Sequence, residues 1–325
     1  MDTAGPEPSS DKRGPVMSTT AVPAAAVAGE RSGIWPLARL EAVRYARHPL
    51  FLVGLLFGVL AGAGERGPIE LDFQVIPAFF IGVFGIVIAA RLTRSTDRSR
   101  PIVDAAPASQ TKRTAALCLA CAVPAGAGLA LVLLHRAFVL AEPFPDWMYG
   151  TWGPVDRFII TMVIPVIACA GGPLLGVAVG RWLRFPGASL LAVIVVVEWS
   201  QIASYLPEQD LDSGTLFARA LHMAAPYTAF GNGTGEVTVW VRTYTGSPAW
   251  FAVWTLTLCG LAVTAALWRG AEGATRRIVA RTAGALAAAA VIALVMAIAT
   301  GNDAISESGP QGTVPLVAVP SDGLR

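Results

Sequence analysis

Lysine is almost missing from this chain: Lys12 and Lys112 are the only two in 325 residues, and arginine supplies the other positive charges. A lysine-poor composition rich in Ala and Arg points to a GC-rich bacterial gene. Charged residues of all kinds make up only 14%, where a soluble domain would carry about a quarter. Neither lysine closes a G-x-x-x-x-G-K-S/T loop, and Gln110-Thr111 stands before Lys112 where glycine would be needed. The chain is therefore not expected to hydrolyse nucleotide by itself. H-E-x-x-H is also absent, and no metal or cofactor is expected on this chain. Gly187-Ala188-Ser189 opens like a serine-hydrolase elbow, but the closing glycine is missing. Ser189 also falls at the opposite end of the spans from His135 and His222, beyond reach of a base. No catalytic residue is assigned. The four cysteines, Cys118, Cys121, Cys169 and Cys259, all sit in apolar runs. The C-x-x-C formed by two of them lacks the strand-to-helix setting of a redox motif, so all four read as packing residues. No early apolar run with a small-residue cleavage site is present, and no signal peptide is expected.

Hydrophobic residues, by contrast, reach 54%, gathered into runs of membrane-crossing length. The expected fold is an all-α polytopic membrane protein with spans near 49–64, 75–90, 115–138, 158–179, 187–206, 248–268 and 279–300. Residues 1–33, rich in Pro, Ala, Ser and Gly, are expected to form a disordered cytoplasmic tail. Residues 34–48 form an amphipathic helix with Leu37, Leu40 and Val43 on one side and Arg39, Arg44 and Arg47 largely elsewhere. Such a helix lies flat in the cytoplasmic headgroup layer and leads into the transmembrane domain, 49–300. The remainder, 301–325, is expected to be a loose extracytoplasmic tail. In the long outer loop, 207–247, Leu216, Phe217, Ala220, Leu221 and Ala224 fall on one face of a short re-entrant or interfacial helix that Pro226 ends. Glycines recur every fourth residue at Gly54, Gly58 and Gly62, and again at Gly172, Gly176 and Gly180. That spacing lets helix backbones approach closely.

Charge sets the expected orientation. With the N-terminus inside, 15 of the 24 basic residues flank spans on the cytoplasmic side and 6 lie outside, while acidic residues number 4 inside and 13 outside. Six basic residues crowd into one loop: Arg91, Arg94, Arg98, Arg100, Lys112 and Arg113. This loop is read both as the topological anchor and as a candidate working surface. Of the 22 carboxylates, only Glu198 falls within a span, roughly midway along the fifth. Gln201 and Tyr205 follow one and two turns along the same face. An ionisable group at that depth costs at least a few kcal/mol unless paired or protonated. Glu198 is accordingly expected to face the bundle interior, contacting substrate or a partner helix, or to be a protonated acid bonded to a neighbouring helix.

The chain resembles the transmembrane subunits of ABC type-2 exporters, especially bacterial permeases encoded apart from their ATPase. The resemblance rests on LARLEAVRYARHPLF leading into the first span, on the loop RSTDRSRPIVDAAPASQTKRTAAL, and on the outer segments SYLPEQDL and ALHMAAPYTAF. It covers about residues 35 to 270, as a pattern of arrangement more than of invariant residues; an apparent seventh span departs from the family's six. It implies a second permease subunit, homo- or heterodimeric, and ABC ATPase subunits docked below, with ATP and Mg held on those partners. The loop's counterpart in the family includes a coupling helix, which makes Arg94, Arg98, Arg100 and Arg113 the implied ATPase-coupling residues. The implied function is export of a hydrophobic or amphipathic compound across the bacterial plasma membrane, with lipid as surroundings and no nucleic-acid partner. Two other readings stand beside it: a proton-coupled carrier that titrates Glu198, and a membrane sensor or immunity protein that moves nothing.

Overall fold

Proline and glycine decide where the helices break and where they touch. The computed structural model describes residues 33–64, 75–98, 109–141, 146–209, 216–234 and 240–318; the tail expected at 1–33 lies outside these but for Gly33. Helix α1 (Ile34–Ala46) meets α2 (Pro49–Gly64) at 61°. Pro49 has no N–H to return to the Tyr45 carbonyl, so α1 cannot run on. His48 then starts α2, its Nδ1 accepting from the Leu50 N–H at 3.3 Å. Helix α3 runs from Val75 to Arg98 and carries a π-helical turn, Ala78–Val83, directly after Pro77. Ser109 caps α4 (Gln110–Ala120) by accepting from the Lys112 N–H, and a kink at Cys121 separates α4 from α5 (Ala122–Ala141). Helix α6 runs from Pro154 to Trp182, with a second π-helical turn, Ile159–Val163, just ahead of Pro165. Four more helices follow: α7 (Ala188–Gln209), α8 (Leu216–Met223), α9 (Pro248–Trp268) and α10 (Gly273–Ala299).

Among the described residues, five helices are long and apolar enough to cross a membrane: α3, the α4–α5 unit, α6, α9 and α10. The number is six if the bent α1–α2 pair is one span. Helix α7 adds a shorter apolar stretch, Ala188–Ala203. The chain is thus a mostly helical, multi-pass membrane protein, without all seven expected spans meeting that length.

At the centre, α3 packs against α6 with almost nothing between the backbones. A Cβ on Gly172 would land on the Gly82 carbonyl, and one on Gly176 on the Ile86 carbonyl. At Gly180 it would come within 2.8 Å of the Thr93 Cβ. The spacing read from the sequence in α6 is therefore a contact stripe, and α2 uses Gly54 in the same way against the Phe80 carbonyl. Around this pair lies a core of Tyr45, Ile81, Ile88, Leu117, Leu131 and Val177. A second core, with Trp152, Ile160, Met223, Phe230 and Phe251, lies toward the other end of the bundle.

Beside the helices that fit the expected all-α class stands a small sheet, and the segment after residue 301, expected to be loose, supplies two of its four strands. Residues 231–234, 240–243 and 304–318 form a four-stranded antiparallel sheet, β1 (Gly231–Thr234), β2 (Trp240–Thr243), β3 (Ala304–Gly309) and β4 (Gly312–Ala318), in sequence order. Two hairpins far apart in sequence join where Val241, Arg242 and Thr243 face Ser308, Glu307 and Ser306. Arg242 donates to Glu307 at 2.8 Å across that seam. Just before α9, Gly246 and Asn302 exchange backbone hydrogen bonds of 3.1 Å each. Gly246 and Gly301 both have positive φ there, and a Cβ on Gly301 would strike the Gly246 carbonyl. The sequence hid this sheet because each strand has few residues and the pairing that joins the two halves, β2 with β3, spans more than 60 positions, where local periodicity carries no signal.

Gly176→Leu drives a side chain into the α3 backbone, which no rotamer can avoid. The expected loss is at or above the ~1–3 kcal/mol of ordinary overpacking, with a collapse of folded yield. Gly126→Ala, where a Cβ meets nothing within 4 Å, should leave the thermal midpoint in detergent unchanged. Equal tolerance of both substitutions would refute the contact stripe.

Candidate functional site

The two helix ends that flank the basic loop, the end of α3 and the start of α4, are both tied down. Arg94 donates to the Pro186 carbonyl at 3.2 Å and the Leu183 carbonyl at 3.4 Å, which pins α3 to the α6–α7 turn. Arg44 of α1 makes a two-oxygen contact with Glu41 at 2.8 and 2.9 Å and also donates to Ser95 at 3.1 Å. Burial outweighs the Arg44 partner and raises the Glu41 carboxyl above its ordinary value. At the returning end, Thr111 donates to the Gly270 carbonyl at 2.6 Å, in the α9–α10 turn. Arg269 donates to the carbonyls of Arg181 and Trp182 and lies over the Trp182 ring, whose indole N–H reaches the Ala265 carbonyl at 2.8 Å. One end of the bundle is thus a connected polar layer joining α1, α3, α4, α6 and α9.

Of the four arginines singled out in the sequence, Arg94 is used inside this layer instead of projecting from it. Arg113 lies half-buried on the first turn of α4. Arg98 stands in the last turn of α3, and Arg100 lies outside the described residues. Helix α1 packs against α4, with Ala38 and Tyr45 buried and Trp35, Leu40 and Val43 exposed, Arg39 and Arg47 beside them. This is the face a headgroup layer would receive.

Glu198 is the main correction to the intramembrane site. It stands midway along α7 on the outer face of the chain, exposed, with no hydrogen-bond or ion-pair partner among the described residues. Gln201 is exposed on the same side, amid Ile194, Val195 and Ile202. The side chain of Tyr205 lies outside the described residues. The sequence pattern placed the carboxylate inside because a lone apolar span gives no sign of which face its neighbours take. Helix α7 packs on α3, α6 and α8 with its other side, so Glu198 and Gln201 face away from the bundle.

The other end of the bundle holds polar residues that the sequence reading passed over. The short outer helix is present as α8, but its expected apolar face is not its most protected one: Phe217 is 74% exposed and Ala220, Leu221 and Ala224 are half-buried, while Arg219, His222 and Met223 are buried. Arg219 donates to the Thr300 carbonyl at 2.8 Å, at the end of α10, and lies 3.9 Å from Asp303. The Nε2 of His222 reaches the Ala229 carbonyl at 2.9 Å, and the Thr228 hydroxyl lies against the same ring. A carbonyl only accepts, so Nε2 carries the proton. Burial holds the His222 pKa down to about 4. The signal was present as i, i+3 spacing of Arg219 and His222, read past because the apolar stripe opposite was stronger. Among the described residues, no group of three or more His, Cys, Asp or Glu side chains is placed to hold a metal ion.

Set against protein-family models, curated proteins and solved structures, the chain matches none.

His222 is neutral in the fold, whereas in the unfolded chain it titrates at its ordinary value of 6.5. Below that pH the unfolded state takes up a proton that the folded state refuses, so stability falls between pH 6.5 and about 4 and levels off below. At ~1.4 kcal/mol per pH unit the loss is on the order of 3 kcal/mol. Thermal midpoints across this range should fall in the parent chain and fall less in His222→Gln. Parallel curves would refute the assignment.

Proposed function

We propose that this chain is the membrane-embedded permease subunit of an ATP-driven ABC type-2 exporter in a bacterial plasma membrane, moving a hydrophobic or amphipathic compound. In this reading it has seven spans, the N-terminus inside and the C-terminus outside. The observation that carries the reading is the connected polar layer at the end of the bundle where the basic loop sits. A push on that loop reaches α1 through Ser95, the α6–α7 turn through Arg94 and the α9–α10 turn through Thr111. A separate nucleotide-hydrolysing subunit that grips the loop would therefore move several helices together, as a rocking transition requires. ATP and Mg belong to that subunit.

A second permease subunit supplies the missing neighbour of α7. Exposed to lipid, Glu198 would cost ~2.5–3.5 kcal/mol at mid-span; against a partner helix, it and Gln201 gain hydrogen-bonding groups. The proton-coupled carrier needs Glu198 to line a path within one chain, and its outward position gives that reading no support. The extracytoplasmic sheet supports a sensing role only in that it offers a folded surface on the far side.

Two expected outcomes follow. Arg98→Glu with Arg100→Glu should leave membrane insertion intact while cargo-dependent ATP hydrolysis by the complex falls toward its uncoupled level; unchanged coupling would exclude the loop as the transmission surface. Glu198→Gln should retain the dimer by light scattering in detergent, and Glu198→Leu should shift it toward monomer. If neither changes the mass, α7 is not the subunit contact.

A further inference from the structure

Between α6, α7 and α9 lies a cavity of about 380 Å³, within the range of ligand pockets. Gly171 and Leu175 of α6, Val196 of α7, and Leu258 and Ala262 of α9 form its walls, and Tyr227 closes one end. The few polar side chains at its edge are turned elsewhere. The Thr255 hydroxyl donates back to the Phe251 and Ala252 carbonyls at 3.1 and 3.0 Å, and the Cys259 thiol points to the Ile167 carbonyl. A water here would find almost no partners, and a water needs two or more to remain. An empty void of this size is costly in any close-packed interior.

The way in is lateral. Helices α7 and α9 each pack on α6 but do not form a packed pair with each other, so the cavity opens in the cleft between them. At this depth the medium outside is hydrocarbon. The Pro226–Tyr227 turn blocks the end nearest α8: a Cβ on Gly82 would lie 2.9 Å from the Tyr227 hydroxyl, so this turn dips to the level of the α3–α6 contact.

We propose that this cavity is a binding site for one acyl chain of a bilayer phospholipid, which enters between α7 and α9 and ends against Tyr227. The site is separate from the loop that serves coupling and from the Glu198 stripe, and it stands whether or not the transport reading holds. Its occupant joins the three helices where α7 is otherwise loosely held.

The test uses the full chain in nanodiscs of phosphatidylglycerol and phosphatidylethanolamine, with a trace phospholipid carrying a diazirine at the end of one acyl chain. After irradiation, adducts are mapped by mass spectrometry. Adducts should concentrate on the peptides holding Gly171, Leu175 and Ala262, about tenfold above those at Leu56 and Leu60, which are exposed on α2. Ala262→Phe, and independently Leu258→Trp, should remove that excess and leave the α2 labelling as it was. Labelling of the cavity residues no denser than that of α2 in the parent chain would overturn the proposal. So would an excess that survives both filling variants.

Discussion

Everything in this molecule hangs on two backbones that touch. Helices α3 and α6 meet through Gly172, Gly176 and Gly180, with the carbonyls of Gly82 and Ile86 where side chains would otherwise stand. Lipid tails are as apolar as leucine, so burying leucine between spans gains little. Close van der Waals contact between backbones has to hold them instead. The glycine stripe provides that contact, and a helix pair so close has little freedom to slide. Whatever moves α3 must carry α6 with it.

That constraint gives the two ends of the bundle their separate characters. At one end, carbonyls left over where α6 and α9 stop are taken by Arg94, Arg269 and Thr111, so the helix termini are satisfied by neighbours in place of water. At the other end, the segment after α10 folds back as β3 and β4 and joins the loop ahead of α9, while Arg219 ties α8 to the end of α10. One end is a layer of long side chains at the helix ends that flank the basic loop; the other is hydrogen-bonded backbone.

Much of this could be read from the residues alone. Pro49, the glycine spacing in α6 and the long apolar runs marked helix ends, a contact face and membrane residence, because each acts through local geometry. Helix α8 was found within a residue of its end, yet its inner side was misjudged. In a membrane protein the apolar face can look outward, and Arg219 and His222 then occupy the protected one. The direction of Glu198 and the pairing of β2 with β3 depend on contacts between distant segments, which no window of sequence contains. The cavity beneath Tyr227 had no signal at all, since its walls are the same Gly, Ala and Leu that fill any span.

The account treats this chain as a passive gate driven through its basic loop by a separate subunit. The most direct measurement is the composition and nucleotide hydrolysis of the complex purified from the native membrane under mild detergent. The account predicts a chain bearing a G-x-x-x-x-G-K-S/T loop, present in equal amount with this one and hydrolysing ATP. Purification of this protein free of any nucleotide-hydrolysing partner, and still able to move cargo uphill on an ion gradient alone, would contradict it.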